Sequence, residues 1–553
     1  MNAPIPVLKG IGPRTAKIVI VTEFATADDL WRGFPLAGTA GDAFGAFLHE
    51  AGIIRSECYI TSVLKYRPKG DSTESLFSQN KAAAERDGLF HTINGTYVNP
   101  NIVPHIHALH SELSTLSPDV ILALGSFSMF CLTEVYGSVD TWRGSHLEYK
   151  PRPEITVIPT YTIRDIYARW ELKSICVRDL QRVRAVADNP EFYVYPNYKF
   201  LIRPTFFEVE HVLSRALEKL RIGTLQLSCD VETVARQISC IGLAWSAREA
   251  ICIPLMTLEG HYWSDEKEIS IMTLLHAILT HPNIRILGQN FNYDSQHFAH
   301  SFGFIPHLAF DTMIAQHVLL PGVPKALDFL SSMYAHWHRY WKDEMNDYSR
   351  LPENMEQYWT YNCKDCVTTF EVAGPLREML GHLDRWPQYD FIHRVSLAAL
   401  RTMLRGMRID QKSRSATAEA LIQAISEHEQ LIHHIVGFPL NVGSSKQMKE
   451  FFYDELGLPV QYDRKTRQPS LSAKALATLC QKEPLIQPLV ELIEKKRSLG
   501  VFLSTFCLMP LSPDGRMRCS FNVCGTETFR FSSSKDAFGT GGNLQNIPKG
   551  EEE

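Results

Sequence analysis

Carboxylates recur at three separate places in the middle of the chain. Asp230 and Glu232 lie two residues apart in LQLSCDVE (225–232), where alternation along a strand puts both side chains on one face. Two like charges held this close repel each other unless a cation lies between them. Carboxylate oxygens are the ligands that Mg²⁺ and Mn²⁺ prefer. The pair therefore predicts a divalent metal site at the end of a strand.

Asp294 and Asp365 are the acids that would complete this site. Residues 284–288 (IRILG) predict a short buried strand, and Asp294 follows where a helix begins, a usual place for catalytic groups in an α/β sheet. Asp365 lies four residues after Tyr361 in a helical run that begins near Glu356, so carboxylate and phenol share one helical face. Four such carboxylates can hold two Mg²⁺ or Mn²⁺ ions roughly 3.5 to 4 Å apart, which suits phosphodiester hydrolysis.

The motifs D-x-E, N-x-x-Y-D and Y-x-x-x-D, in this order, resemble those of the proofreading 3′-5′ exonucleases of the DnaQ-like superfamily. DTM at 311–313 and KALDFL at 325–330 are similar to the exonuclease domain of family A DNA polymerases. The resemblance implies a ribonuclease H-like fold, four acidic metal ligands, a water-orienting tyrosine and an asparagine that contacts DNA. These residues are Asp230, Glu232, Asp294, Asp365, Tyr361 and Asn290.

Length and composition predict a globular cytoplasmic protein of several domains. A chain of 553 residues exceeds one hydrophobic core, and roughly 100 to 200 residues per domain predicts three or so. No apolar run approaches ~18 residues, so no membrane span is expected, and the first residues lack a signal-peptide core. The 12 cysteines are scattered, which favours reduced thiols over disulfides. The formal net charge of −5 does not itself indicate nucleic-acid binding.

Residues 1–190 are predicted to form a separate α/β domain. Apolar runs at 16–21, 119–125 and 155–159 read as buried strands with helical patterns between them, which favours a parallel sheet covered on both faces.

This region resembles the uracil-DNA glycosylase superfamily, through PLAGTAG at 35–41 and YITSVLKYRP at 59–68. Glu23 takes the position of an acidic residue in the family's first loop. Leu36 replaces the base-stacking Phe, Ser62 replaces the Asn that reads the uracil edge, and Thr162 begins TIR where the family has H-P-S. Because base excision needs stacking and edge hydrogen bonds, we expect a degenerate site that keeps the fold and has lost glycosylase activity.

The C-terminal third resembles the thumb and early palm of family A DNA polymerases. The phrases are GMRID at 406–410, NVGSSKQ at 441–447, TETFRFSS at 526–533 and NLQNIP at 543–548. The resemblance implies sequence-independent contacts to the primer and template backbone. The candidate DNA-contact residues are Ser445, Lys446, Gln447, Arg497, Thr526, Arg530, Ser533, Gln545 and Asn546. The aromatic segment 336–341 (HWHRYW) reads as a loop packed on its own domain or, less favoured, as a single-strand stacking platform.

Together these patterns predict a multidomain α/β protein. A glycosylase-like parallel-sheet α/β sandwich spans 1–190, a ribonuclease H-like exonuclease domain 198–378, and a mainly helical thumb with a partial palm 386–553. We expect the proofreading exonuclease and primer-template-binding part of a phage-type family A DNA polymerase, with two Mg²⁺ or Mn²⁺ ions. The family's polymerase aspartates would follow the NLQNIP phrase, so a second polypeptide is expected to supply them; engineered truncation is the other explanation. The alternatives are a stand-alone DNA repair or RNA-processing nuclease and a noncatalytic DNA-binding scaffold.

Overall fold

The computed structural model describes residues 8–344, 351–463 and 467–547. The chain divides into two compact units, Met1–His393 and Arg394–Glu553. The first unit therefore contains both of the N-terminal domains predicted from the sequence, and the predicted boundary between them stays a prediction.

The first part of this unit is built on a five-stranded sheet. Its strands are, in spatial order, Tyr59–Leu64, Ile18–Phe24, Val120–Leu124, Arg152–Thr160 and Leu147–Tyr149. The first three pairings are parallel and the last is antiparallel. Every residue of Val120–Leu124 is buried, so this strand is covered on both faces. The predicted parallel sheet is confirmed.

Helices and a small second sheet complete this part. The helices are Ala27–Arg32, Gly38–Glu50, Lys81–Asp87, Val103–Leu113, Ser126–Thr133, Val139–Trp142, Ile163–Ala168 and Leu172–Asp188. The second sheet is antiparallel, in the order Phe77–Ser78, Thr96–Val98, His91–Ile93.

The exonuclease-like part of the unit contains a six-stranded mixed sheet. Its strands run in the spatial order Leu308–Asp311, Ile284–Gly288, Leu225–Val234, Gln237–Ala244, Glu249–Pro254 and Lys199–Leu201. The strand predicted at 284–288 is confirmed. The helices are Phe206–Ile222, Asp265–Leu279, Asn292–Phe302, Thr312–Leu319, Leu327–Tyr334 and Met355–His382, and a short hairpin joins Met256–Thr257 to Gly260–His261.

The strand that carries Asp230 and Glu232 is longer than predicted. It continues to Val234 and returns as Gln237–Ala244 through a two-residue turn, in which Ala235 and Arg236 both have positive φ. A turn of this kind matches the twist of the strands that it joins. The acids therefore lie within a hairpin rather than at a strand end, and the prediction of a strand end was wrong.

The long helix Met355–His382 packs on the face of the sheet from which these acids project. Ser228, on that face, donates from Oγ to the carbonyl of Cys366 in the helix, at 2.7 Å. Gly242, paired with Asp230 across the hairpin, makes the close approach possible. A Cβ there would lie 2.4 Å from Asn362 Oδ1 and 2.5 Å from Cys366 Sγ.

The division between the units falls within the helix Trp386–Arg405. The second unit is mainly helical, as predicted, with α-helices Gln411–Val436, Ser445–Lys449, Ala473–Lys482 and Gln487–Phe502 and π-helical turns Glu450–Glu455 and Leu503–Cys507. Met407–Arg408 pairs with Arg516–Met517, and Ser520–Asn522 with Ser532–Ser534. Across the described ranges, no helix has the length and apolar content to cross a membrane.

Candidate active site

Three of the predicted acids converge on one point. Asp230, Glu232 and Asp365 each offer a carboxylate oxygen, and the three oxygens lie within 4.8 Å of one another. Asp365 is buried on the helix Met355–His382, whereas Asp230 and Glu232 are half-buried on the strand below it. Three hard oxygen donors at this spacing fit a divalent cation such as Mg²⁺ or Mn²⁺. The structure thus brings together side chains that are far apart in sequence.

Asp294, the fourth predicted ligand, lies beside this cluster at the start of the helix Asn292–Phe302. Its Oδ1 accepts a hydrogen bond from the backbone N–H of Val231 at 2.9 Å, between the two acids of the strand. Asp294 is almost fully buried. The structure therefore joins it to the backbone that presents Asp230 and Glu232, next to the group of three oxygens.

Burial and mutual repulsion raise the pKa of all four carboxyls. Burial is the main cause for each one, and the neighbouring acids add to it. The pKa of Asp294 rises to about 8 and that of Asp365 to about 6. The positive charge of Lys342 acts in the opposite direction on Glu232 and Asp365. Such a cluster favours the entry of cations, because each cation offsets the repulsion between the ionised carboxylates.

Tyr361 lies one helical turn before Asp365, as predicted. It is buried, and its side chain forms a hydrogen bond with the carboxylate of Asp365. A phenol both donates and accepts hydrogen bonds. The predicted geometry of this pair is present, and the assigned role in orienting water stays a prediction.

Two further side chains contact the acids and were missed from the sequence. Asn362 is fully buried and donates from Nδ2 to Asp230 Oδ2 at 2.9 Å. Trp341 is also buried and donates from Nε1 to Asp365 Oδ1 at 2.7 Å. Asn362 directly follows Tyr361 in the motif, which is a usable signal. Trp341 is 24 residues from Asp365, and no regular spacing links them.

Asp311 organises the loop that leads to Asp294. Its buried carboxylate accepts from the backbone N–H groups of Asn290, Phe291, Met313 and Ile314. Asp311 therefore caps the helix Thr312–Leu319 and fixes the turn at Asn290, where φ is +54°. The side chain of Asn290 is exposed, and its contact with DNA stays a prediction.

Three of the four predicted glycosylase-like residues line one cavity. Glu23, Leu36 and Thr162 surround a space of about 440 Å³. Burial raises the pKa of Glu23 to about 7, although its carboxylate accepts hydrogen bonds from Phe127 N and Thr73 Oγ1. Ser62, the fourth residue, is buried in the strand Tyr59–Leu64 and is not among the described residues that line the cavity. Within the described part of the chain, its hydroxyl has no hydrogen-bond partner.

The predicted DNA-contact residues of the second unit fall into two groups, one around the helix Ser445–Lys449 and one around the strand Ser532–Ser534. In the first, Lys446 is exposed and Gln447 Oε1 accepts from Asn441 N at 3.0 Å. Arg497 donates to the carbonyls of Val442 and Leu471. The guanidinium of Arg497 thus has an internal role, which the sequence did not indicate.

In the second group, side chains hold two loops against each other. Thr526 Oγ1 bonds both the N–H and the carbonyl of Arg530, and Ser533 bonds Asn543. Gln545 Nε2 donates to the carbonyl of Phe531 at 3.0 Å. Arg530, Gln545 and Asn546 are exposed. Pro548, which ends the NLQNIP phrase, lies outside the described residues.

Comparison with known families agrees with this division of the chain. The uracil DNA glycosylase superfamily matches residues 9–181, a 3′-5′ exonuclease family matches 204–381, and DNA polymerase family A matches 411–553. The chain thus combines a glycosylase-superfamily region, a 3′-5′ exonuclease domain and a family A DNA polymerase region.

Among known proteins, the chain is similar to several bacterial DNA polymerases I. It is 27% identical to the DNA polymerase I of Synechocystis sp., over 56% of this chain and 31% of that relative. It is 34% identical to the DNA polymerase I of Bacillus subtilis, over 26% of this chain and 16% of that relative. The alignments thus span at most about a third of these relatives. The chain also matches a solved structure, the POL domain of Pol1 from M. smegmatis in complex with DNA primer-template and dNTP. This match covers 64% of this chain and 56% of that one, at 20% identity and a TM-score of 0.45.

Proposed function

We propose that this chain hydrolyses the 3′-terminal phosphodiester of DNA as the proofreading exonuclease of a family A DNA polymerase. The observation that carries the proposal is the convergence of Asp230, Glu232 and Asp365 within 4.8 Å, in the region that matches the 3′-5′ exonuclease family. Asp294, bonded to the backbone between the first two acids, is the fourth proposed ligand.

Two divalent ions are the proposed cofactors. When bound, such a pair lowers the pKa of an attacking water and offsets the charge that develops on the leaving 3′ oxygen. Asp230, Glu232, Asp294 and Asp365 would hold the ions. Tyr361, through its hydrogen bond to Asp365, keeps its hydroxyl at the cluster, where it would orient the water.

Two other side chains would keep the ligands in place. Asn362 and Trp341 each donate to one carboxylate oxygen, of Asp230 and Asp365 respectively, which leaves the remaining lone pairs available for an ion. Groups in this position orient ligands and tune their basicity.

Nucleotide release from 5′-labelled single-stranded DNA tests the proposal. We expect release that requires Mg²⁺ or Mn²⁺ and falls at least about 100-fold with Asp230→Ala plus Glu232→Ala, since both act on the same ions. The matched control is Asp265→Ala plus Glu266→Ala, which removes two exposed acids from the same domain. Equal rates in the two double variants would refute the assignment.

The substrate separates this proposal from its rivals. Faster removal of mispaired 3′ ends from primer-template DNA than from RNA supports a proofreading role, and the family A region at 411–553 favours it. Preference for RNA would favour an RNA-processing nuclease, and binding without hydrolysis a scaffold. Phage replication and a cytoplasmic setting stay predictions.

A further inference from the structure

The glycosylase-like part of the first unit holds the end of an exonuclease helix. Arg182, on the helix Leu172–Asp188, is buried and donates across to the C-terminal end of the helix Leu327–Tyr334. The last carbonyls of a helix lack intrahelical partners, and a cation there also opposes the helix dipole. The acceptors are the carbonyls of Ser332 at 2.9 Å, Ala335 at 3.0 Å and His336 at 3.2 Å.

A buried ion pair strengthens the same contact. Arg143 and Asp179 are at most 1% exposed and are joined through two nitrogens of the guanidinium. Arg143 also donates from Nη1 to Ser332 Oγ at 2.6 Å, and Thr160 donates to Asp179 at 2.7 Å. Asp179 offsets the buried charge of Arg143 within the glycosylase-like part, and the bond from Arg143 to Ser332 Oγ reaches the exonuclease helix. This bond adds to the contacts that Arg182 makes between the two parts.

Bonds continue along residues 332–340, which we name the bridging segment. The N–H of His146 donates to the carbonyl of His338 at 2.7 Å, and the N–H of Tyr340 donates to Ser145 Oγ at 3.1 Å. The guanidinium of Arg339 lies 5.3 Å from the centre of a Trp142 ring. Every one of these partners belongs to the glycosylase-like part.

Trp341 follows the bridging segment directly, and its indole N–H donates to Asp365 Oδ1 at 2.7 Å. An indole N–H can only donate, and this bond acts on the Asp365 carboxylate together with the one from Tyr361. An unbroken series of contacts therefore links Arg182 and Ser145 to an acid of the proposed metal site.

We propose that the glycosylase-like domain positions the exonuclease site, by fixing the bridging segment so that Trp341 orients Asp365. The inference rests on the proposed exonuclease function. Arg182 and Ser145 are positioning residues in this scheme, and Trp341 transmits their effect. This scheme gives the glycosylase-like domain a function that does not require base excision.

Full-length variants test the scheme. Arg182→Met removes the helix-end bonds, and Arg152→Met is its matched control: Arg152 also donates to carbonyls at a helix end, those of Leu113 and Leu116, but within the glycosylase-like part. We expect Arg182→Met to lower kcat and Mn²⁺ affinity by about 10- to 100-fold, with little change in KM for single-stranded DNA. Arg152→Met should leave all three unchanged.

A double variant shows whether the effect passes through Trp341. Trp341→Phe should reproduce the losses of Arg182→Met, and the combination should be no slower than Trp341→Phe alone. Losses that multiply would overturn the scheme. If Arg182→Met fails to fold by circular dichroism, Ser145→Ala, which removes one hydroxyl, replaces it. Wild-type kcat and Mn²⁺ affinity in folded Arg182→Met or Ser145→Ala would overturn the scheme.

Calorimetric Mn²⁺ binding separates the two proposals. If the wild type binds Mn²⁺ but releases no nucleotide, the exonuclease proposal fails, whereas weaker binding by Arg182→Met than by Arg152→Met would still support positioning. If the wild type is active and Arg182→Met equals it in both measurements, only the positioning scheme fails.

Discussion

Gly242→Ala perturbs the contact on which the geometry of the acids depends. The new Cβ would lie 2.4 Å from Asn362 Oδ1 and 2.5 Å from Cys366 Sγ. Since non-bonded atoms pack best at about 3.5–4.0 Å, the buried side chains of Asn362 and Cys366, or the helix Met355–His382 that carries them, must move by about 1 Å. That helix carries Tyr361, Asn362 and Asp365, whereas Asp230 stays on the strand.

Two effects follow from this displacement. Overpacking of a filled interior costs about 1–3 kcal/mol of unfolding free energy. A shift of about 1 Å in catalytic groups lowers a rate by on the order of 100-fold. We therefore expect a modest loss of thermal stability and a large loss of exonuclease kcat on 5′-labelled single-stranded DNA at saturating Mg²⁺.

Gly381→Ala is the matched control, because it lies in the same helix and a Cβ there meets only Trp386 Nε1, at an ordinary contact distance of 3.8 Å. Replacing this helical glycine with alanine should leave the protein as stable or slightly more stable and leave kcat unchanged. A Gly242→Ala protein with wild-type kcat and melting temperature would refute the reasoning, because the helix would then have room to spare at the acids.

Three other predictions concern the ligands, protons and the N-terminal cavity. Asn362→Leu removes the bond to Asp230 Oδ2. We expect the free energy of Mn²⁺ binding, measured by calorimetry, to become about 1.5–3 kcal/mol less favourable. Unchanged Mn²⁺ affinity would exclude a role for this bond. In the folded protein the pKa is about 8 for Asp294 and about 6 for Asp365, above the value of an unfolded aspartate. The folded state therefore binds more protons than the unfolded state between pH 4 and 8. The stability of the metal-free protein should fall as the pH rises through this range. In EDTA the melting temperature should drop from pH 5 to pH 8. Mn²⁺ should raise the melting temperature more at pH 8 than at pH 5, because its binding displaces protons from the ligands. A melting temperature in EDTA that rises with pH would contradict these pKa shifts. The glycosylase-like cavity should produce no abasic sites in uracil-containing single or double strands, assayed in the Asp230→Ala plus Glu232→Ala background; abasic sites formed there would show that Leu36 and Ser62 still permit excision.

Local patterns predicted the elements that carry the chemistry. Period-two alternation placed Asp230 and Glu232 on one face, and a spacing of four placed Tyr361 over Asp365; both relations are set by backbone geometry alone. The parallel sheet followed from buried apolar runs separated by helical patterns.

Tertiary contacts account for what the sequence did not reveal. The hairpin turn at Ala235 and Arg236 lacks the Gly or Asn that marks such turns, so the sequence pattern indicated no hairpin and placed the end of the strand too early. The bond from Trp341 to Asp365 and the four backbone N–H groups around Asp311 join separate elements without periodic spacing. The aromatic segment 336–341 was expected to pack on its own domain. His338 and Trp341 do so, through Ser331 and Asp365, whereas Trp337 stacks on His146 of the glycosylase-like part and His336 stacks on Tyr193.

The most direct test of the account is anomalous diffraction from crystals of the protein soaked with Mn²⁺. The account predicts two peaks roughly 3.5 to 4 Å apart, in contact with carboxylate oxygens of Asp230, Glu232, Asp294 and Asp365. Mn²⁺ bound elsewhere, or absent from these four acids at saturating concentration, would contradict it.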